Sequence, residues 1–194
     1  MKDYTAGPLS PSSLPHAHCL PRRELLQTSL LIAGGFIVDT ALAADQSAPP
    51  SYNPAVEFAF TIFATIEGVL NVGATATGMI RAIPITGGEV VGDNIRGRVI
   101  PGGADWQRTR PDGVTEIEAT YAIELEDMTL VKIINRGLIA PPATEGSPAY
   151  FRTAIEFTAP NGPHQWLNEA IFLCSAGGAP GRPGAVQVDV YKLV

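Results

Sequence analysis

The sequence predicts an all-β protein, a single closed up-and-down antiparallel β-barrel of about 8–10 strands. Short runs rich in β-branched and aromatic residues recur between turn signals, and no segment after residue 55 has a helical period. A meander of this length would expose two unpaired edges if it stayed open. Closure into a barrel is therefore favoured over a sandwich.

The first 43 residues have the order of an export signal. Arg22 and Arg23 precede an uncharged stretch, residues 25–38, that is too short to span a bilayer as a helix. Small residues at 41–43 then place cleavage after Ala43, with Ala44 as the neighbouring option. The segment resembles a twin-arginine signal; a general secretory signal, an uncleaved buried helix and a single anchor are the alternatives. We expect a periplasmic or secreted protein with no membrane insertion after cleavage.

Residues 44–55 form a proline- and serine-rich linker, and residues 56–194 carry the barrel. The clearest strand lies within residues 114–127, where apolar residues alternate with Glu and Thr and so define an inner and an outer face. Glycine pairs predict turns at Gly87-Gly88 and at Pro101-Gly102-Gly103. The predicted strand segments are 56–68, 76–88, 89–92, 94–103, 104–113, 114–127, 129–140, 149–160, 169–178 and 185–194.

Composition excludes several classes of partner and chemistry. The net charge is −6 and the basic residues of the body are scattered singly, so nucleic acid and anionic membranes are poor partners. After the signal, His164 is the only histidine and Cys174 the only cysteine, which excludes a histidine-based metal site and an intramolecular disulfide. No glycine-rich phosphate motif is present. We expect no cofactor and no metal, and we interpret Cys174 as a small buried residue rather than a nucleophile.

Polar residues inside apolar strands are the candidate ligand-binding residues. Tyr121 lies on the apolar face of its strand, and simple alternation sends Asn135 inward and Arg136 outward unless a bulge reverses them. Asp105 and Trp106 are adjacent, so both reach the interior only if a bulge follows Gly103. A pocket with Trp106 as a wall and a polar network that only fixes strand register are both open interpretations. The candidates are Asp105, Trp106, Tyr121, Asn135, Arg136, Tyr150, Arg152, Trp166 and Asn168.

Several short motifs together resemble the DUF3237 (UPF0311) family over essentially residues 56–194. They are GGEVVG, IRGRVIPGGADWQRTRPDG, EATY, NRG, YFRT, WLN and VQVDVYKLV. The resemblance implies a closed antiparallel barrel, mostly of uncharacterised function. It also implies a relation to fungal members that are cofactor-independent enzymes closing an oxygen ring by intramolecular hydroalkoxylation. The export signal departs from many relatives and argues against a role inside a cytoplasmic pathway.

Three hypotheses about function follow. The first is an exported barrel that binds a small organic ligand, aromatic or phenolic, in its interior. The second is a cofactor-independent cyclase, isomerase or lyase in the same pocket, with acid/base work by Asp105, Tyr121 or a nearby glutamate and oxyanion stabilisation by Arg152 or Arg136. The third is a structural barrel with a filled interior. The sequence leaves homo-oligomerisation open.

Overall fold

A computed structural model describes residues 54–194 of the chain; the predicted export signal and all but the last two residues of the linker lie outside them. The described part contains nine strands and one short 3₁₀ helix, Gln165–Asn168. None of its helical segments has the length and apolarity needed to cross a bilayer. The strands are β1 (Val56–Ile66), β2 (Leu70–Thr75), β3 (Gly78–Val91), β4 (Arg96–Thr109), β5 (Thr115–Leu125), β6 (Leu130–Ala140), β7 (Tyr150–Thr158), β8 (Phe172–Gly178) and β9 (Ala185–Leu193).

The strands close into a barrel through β1. Consecutive strands pair antiparallel from β2 to β9, and β9 pairs with β1. β1 also pairs with β3, from Thr61 opposite Val91 to Ile66 opposite Ile85. Eight strands therefore form a closed ring that leaves β2 as an additional strand beside β3. The predicted closed antiparallel barrel is confirmed.

Two of the expected turns are wrong. Gly87-Gly88 lies inside β3, where the register with β4 shifts between Ile85 and Glu89. Pro101-Gly102-Gly103 lies inside β4, where the register with β5 shifts between Ile100 and Ala104. Four predicted segments are thus two long strands with bulges, because glycine lets a strand bend sharply without ending it. A Cβ at Gly88 would collide with the carbonyl oxygen of Phe63, so the bend also brings two strands close together.

β2 has no counterpart among the predicted strands. It has six residues, LNVGAT, and Gly73 at its centre has a φ of 107°. The register between β2 and β3 shifts at this glycine, between Asn71 and Gly73. A short strand with an internal bulge leaves little alternation to recognise in the sequence, which explains the omission.

An aromatic cluster fills one end of the barrel, which we call the aromatic end. Phe157 packs edge-on against Phe172 with 5.2 Å between ring centroids, and Phe60 lies 5.8 Å from Phe157. The 3₁₀ helix covers these rings and buries Leu167. The residues at this end come from the start of β1, the end of β7 and the start of β8. The opposite ends of the same strands therefore mark the other end of the barrel.

Candidate functional site

The opposite end of the barrel contains a cavity of about 100 Å³ lined by 14 residues. We call this the cavity end. Ten of the lining residues are apolar; several, including Ala64, Ala119 and Ala176, are small. The other four carry polar groups and are Asp105, Gln107, Tyr121 and Asn135. An apolar chamber with a few polar groups is the usual composition of a small-molecule site.

Asp105 and Trp106 point to opposite sides of the barrel wall. Regular pairing between β4 and β5 resumes at Ala104, directly after the bulge, so the two following residues alternate normally. Asp105 faces the cavity, whereas Trp106 is 53% exposed on the outside. The expectation that Trp106 forms a pocket wall is therefore corrected.

Three side chains form a hydrogen-bonded row that enters the cavity. Arg81 Nε donates to Gln107 Oε1 at 2.8 Å, and Gln107 Nε2 donates to Asp105 Oδ2 at 2.6 Å. Because a guanidinium can only donate, it makes Gln107 present its oxygen to Arg81 and its NH₂ group to Asp105. The row thus holds the Asp105 carboxyl in one orientation.

Burial raises the pKa of the Asp105 carboxyl, although the hydrogen bond from Gln107 and the nearby charge of Arg81 both act to lower it. Burial dominates because a carboxylate loses more hydration in the barrel than two polar neighbours restore. A carboxyl with a raised pKa can hold or release a proton closer to neutral pH. Asp105 is therefore the group of this cavity best suited to acid/base chemistry.

Two hydrogen-bond acceptors at the cavity have no partner among residues 54–194. They are Asp105 Oδ1 and Asn135 Oδ1, both fully shielded from solvent. Asn135 is 4% exposed and lies opposite Ala119, which in turn lies opposite Asp105. Both residues line the cavity. Because buried acceptors are nearly always satisfied in folded proteins, a molecule in the cavity is the candidate partner for these two oxygens.

Tyr121 and Cys174 stay protonated in the interior. Burial raises the pKa of the Tyr121 hydroxyl well above its usual range, with smaller contributions from Cys174 and Asp105. Burial likewise raises the pKa of the Cys174 thiol to about 12. Tyr121 is thus a hydroxyl donor at the cavity, and Cys174, which is 2% exposed, is the small buried residue that the sequence predicts.

Arg136, Tyr150 and Arg152 lie on the outer face of the barrel and do not reach the cavity. Arg136 Nε is 2.7 Å from Glu118 Oε2 on the neighbouring strand. The Arg152 guanidinium lies 5.4 Å from the centroid of the Tyr150 ring. Strand alternation places them there, because their neighbours Asn135 and Thr153 take the inward positions. The expectation that these three residues line the pocket is therefore wrong.

Trp166 and Asn168 belong to the aromatic end. Trp166 packs against Phe172 with 5.9 Å between ring centroids. Asn168 Oδ1 accepts from the backbone nitrogen of Ala159 at 2.8 Å, and its Nδ2 donates to the Ala159 carbonyl oxygen at 2.9 Å. Trp166 thus holds the 3₁₀ helix against β8, and Asn168 holds it against the residue that follows β7. The expectation that these two residues line the pocket is therefore wrong. Of the nine candidates, the structure brings together Asp105, Tyr121 and Asn135.

Sequence reasoning missed Gln107 and Arg81. Gln107 is two residues from Asp105 on one strand, so period-two alternation already places both on one face. Arg81 has the same parity as Ile83 and Ile85, which line the cavity. Alternation in β3 and β4 thus groups these residues on one face of each strand. It identifies them as site residues only once the inward orientation of Asp105 is known.

The fold and cavity define the class: a small closed antiparallel barrel with an internal, partly polar chamber at one end. Residues 54–193 match the model of a family described as protein of unknown function, DUF3237. A UPF0311 protein of Rhodopseudomonas palustris is 38% identical over 149 residues, which cover 71% of this chain and 95% of that protein. The chain belongs to the DUF3237 (UPF0311) family.

Solved structures agree with this assignment. A conserved protein of unknown function from R. palustris is 36% identical, with a TM-score of 0.68 over 74% of this chain and 100% of that one. A beta-barrel like protein from Acinetobacter baumannii is 28% identical, with a TM-score of 0.68 over 77% and 100% of the two chains. An enzyme from Penicillium herquei is 20% identical, with a TM-score of 0.60 over 74% and 96%, and shares the fold.

Proposed function

We propose that the barrel binds a small, mainly apolar organic molecule, aromatic or phenolic, at its cavity end. The observation that carries this proposal is a pair of buried acceptors, Asp105 Oδ1 and Asn135 Oδ1, which have no partner in the described part of the chain and belong to residues that line an apolar chamber. A ligand hydroxyl would donate to one of them, while its ring would replace water against the apolar wall.

The size of the cavity supports a ligand of one ring. Its volume of about 100 Å³ is several times the roughly 10–15 Å³ that one water needs. It approaches the roughly 150 Å³ of an engineered cavity that binds benzene, and it is below the roughly 300–1,000 Å³ typical of drug-sized ligands. This size argues against the structural barrel with a filled interior.

A second candidate function is a cofactor-independent enzyme at the same site. The raised pKa of Asp105 favours it, because a buried carboxyl beside a cavity can exchange a proton with a bound substrate. Arg136 and Arg152, considered for oxyanion stabilisation, lie outside the barrel. Tyr121 remains as a neutral donor to a developing oxyanion.

A thermal-shift screen of phenols and other single-ring compounds tests binding. We expect phenolic compounds to raise the melting temperature of the wild type, by an amount equivalent to about 2.7 kcal/mol at a hundredfold excess over Kd. Asn135→Leu removes one acceptor and fills part of the cavity, so its response should be lost. Lys132→Leu changes an exposed, outward residue of the same strand and should respond like the wild type.

Two results would contradict binding at this site: no response of the wild type to any compound, or an undiminished response of Asn135→Leu. Incubation of each stabilising compound with the protein, followed by mass analysis, separates binder from enzyme. Stabilisation without a new product favours the binder. Turnover that disappears in Asp105→Asn favours the enzyme.

We also propose that the protein is exported, on the order of charges, apolar stretch and small residues within 1–43. N-terminal sequencing of protein recovered from the periplasm or medium should give a chain that begins at Ala44 or Asp45. Recovery of the chain with Met1 intact from that fraction would refute cleavage.

A further inference from the structure

Arg81 lies where the barrel wall continues beyond the closed ring. β1 pairs with β3 only between Ile85 and Val91, whereas residues 78–82 of β3 pair with β2. The β2–β3 hairpin therefore extends the wall on one side of the cavity end. Arg81 shares the inward parity of Ile83 and Ile85 and is exposed, which places it at the rim of the cavity.

Most of the hydrogen-bonding capacity of Arg81 is unused. Its Nε donates to Gln107, and it forms no ion pair within residues 54–194. A guanidinium has five N–H donors, so its two terminal nitrogens remain available. Arg108 on the outer face of β4 and Arg110 just after that strand contrast with it, since both pair with Glu116.

The polarity of the site changes from its inner part to its rim. The inner part presents acceptors, Asp105 Oδ1 and Asn135 Oδ1, and the rim presents a cation. A ligand anion placed deep would face the Asp105 carboxyl, whereas an anion at the rim would face Arg81. The two charges therefore define one orientation for a ligand with a donor at one end and a carboxylate at the other.

The positions of these residues along the barrel wall suit one ring. The Cα atoms of Asp105 and Gln107, two residues apart on one strand, are separated by about 7 Å. Arg81 lies opposite Gln107 on the neighbouring strand, so it is displaced from Asp105 by about the same length of wall. Substituents at opposite ends of a benzene ring have a comparable separation. Planar carboxylates are also the anions that guanidinium binds with two parallel hydrogen bonds.

We propose that the ligand is an aromatic monocarboxylate with a hydroxyl at the far end of its ring. The hydroxyl donates to Asp105 Oδ1 inside the cavity, and the carboxylate binds the free face of the Arg81 guanidinium at the rim. This assignment rests on the proposed binding function and adds the charge and polarity of the ligand to it.

Isothermal titration calorimetry with three probes tests the assignment: 4-hydroxybenzoate, its methyl ester and phenol. We expect 4-hydroxybenzoate to bind the wild type about tenfold more tightly than either neutral probe. In Arg81→Met the affinity ratio of 4-hydroxybenzoate to its methyl ester should fall to about one, even where loss of the Arg81–Gln107 hydrogen bond weakens the binding of every probe. Circular dichroism and the melting temperature check that the variant is folded. Arg152→Met removes an arginine from the outer face and should keep the advantage. Arg81→Lys should retain part of it.

Each outcome separates the two proposals. Equal binding of the three probes by the wild type, or an advantage that survives in Arg81→Met, overturns the carboxylate assignment while leaving a binding cavity. If none of the three probes binds the wild type, the proposal that the cavity binds phenolic ligands is wrong, and the carboxylate assignment fails with it. The methyl ester distinguishes charge from size, because it keeps the ring and the hydroxyl.

Discussion

The two ends of the barrel use the same strand alternation to opposite effect. At the aromatic end, Phe60, Phe157 and Phe172 fill the interior, and Phe60 and Phe172 are at most 1% exposed. At the cavity end, Ala64 and Ala176 take inward positions on the strands that carry Phe60 and Phe172, and the cavity lies beside Asp105 and Asn135. Dense packing stabilises the fold, whereas unfilled space and unpartnered acceptors cost stability and create a site. The comparison indicates that the densely packed interior and the proposed binding cavity are located at different ends.

The bulges in β3 and β4 lie beside the cavity and influence its position in the barrel. The register shifts of β3 and β4 both lie at the level of the cavity. Gly103, inside the β4 shift, approaches Tyr121 so closely that a Cβ there would lie 2.5 Å from the tyrosine Cβ. Both shifts bend their strands, and the β4 shift decides which residues that follow it face inward. The cavity thus depends on backbone irregularity, and the aromatic end depends on side-chain volume.

The largest expected effect is at the aromatic end. Phe172→Ala should lower the free energy of unfolding by about 3–5 kcal/mol, because it removes a buried ring that contacts Phe157 and Trp166. Urea denaturation measures the change. Ile171→Ala, one residue away and 63% exposed, should alter stability by less than about 0.5 kcal/mol.

A similar loss in both variants would mean that the aromatic cluster is not the main source of stability at that end. The folded fraction of Phe172→Ala should still bind the ligand if the two ends are independent. Loss of binding at temperatures where the variant is folded would show that the aromatic end also shapes the cavity.

At the cavity end we expect a smaller change, in which a substitution raises the free energy of unfolding relative to the wild type as pH rises. Because the pKa of Asp105 is raised, the folded protein holds this proton to higher pH than the unfolded chain does. The stability contributed by Asp105 is therefore greatest below its usual pKa of 3.8 and falls as pH rises through the folded-state value. Asp105→Asn has no carboxyl to ionise at this position and so does not lose this stability. Its free energy of unfolding relative to the wild type should therefore increase between pH 4 and pH 7.

Urea denaturation of both chains across this pH range measures the difference, and other titrating groups cancel because both chains contain them. Asp112→Asn provides a control of opposite sign, since a hydrogen bond from Arg110 lowers the pKa of Asp112. A wild type that gains stability relative to Asp105→Asn as pH rises would contradict the burial of Asp105.

Alternation made much of the site predictable. Within residues 114–127 it placed Tyr121 inward, and in the following strand it separated Asn135 from Arg136. Alternation also grouped Asp105 with Gln107 but could not say which face of β4 is the inner one. That choice depends on whether the strand is straight or bulged at Gly102-Gly103, which is decided by the pairing with β5.

The sequence by itself determined the all-β class and the antiparallel meander, because period-two patterning and turn residues act locally along the chain. Closure followed from the length of that meander, because an open sheet would leave two unpaired edges. Only the tertiary structure decided that glycine pairs bend two strands instead of ending them, that Trp106 faces outward, and that Arg81 and Gln107 meet Asp105. The physical reason is that register between strands arises from contacts distant in sequence. A shift of one residue turns every side chain that follows it to the other face of the sheet.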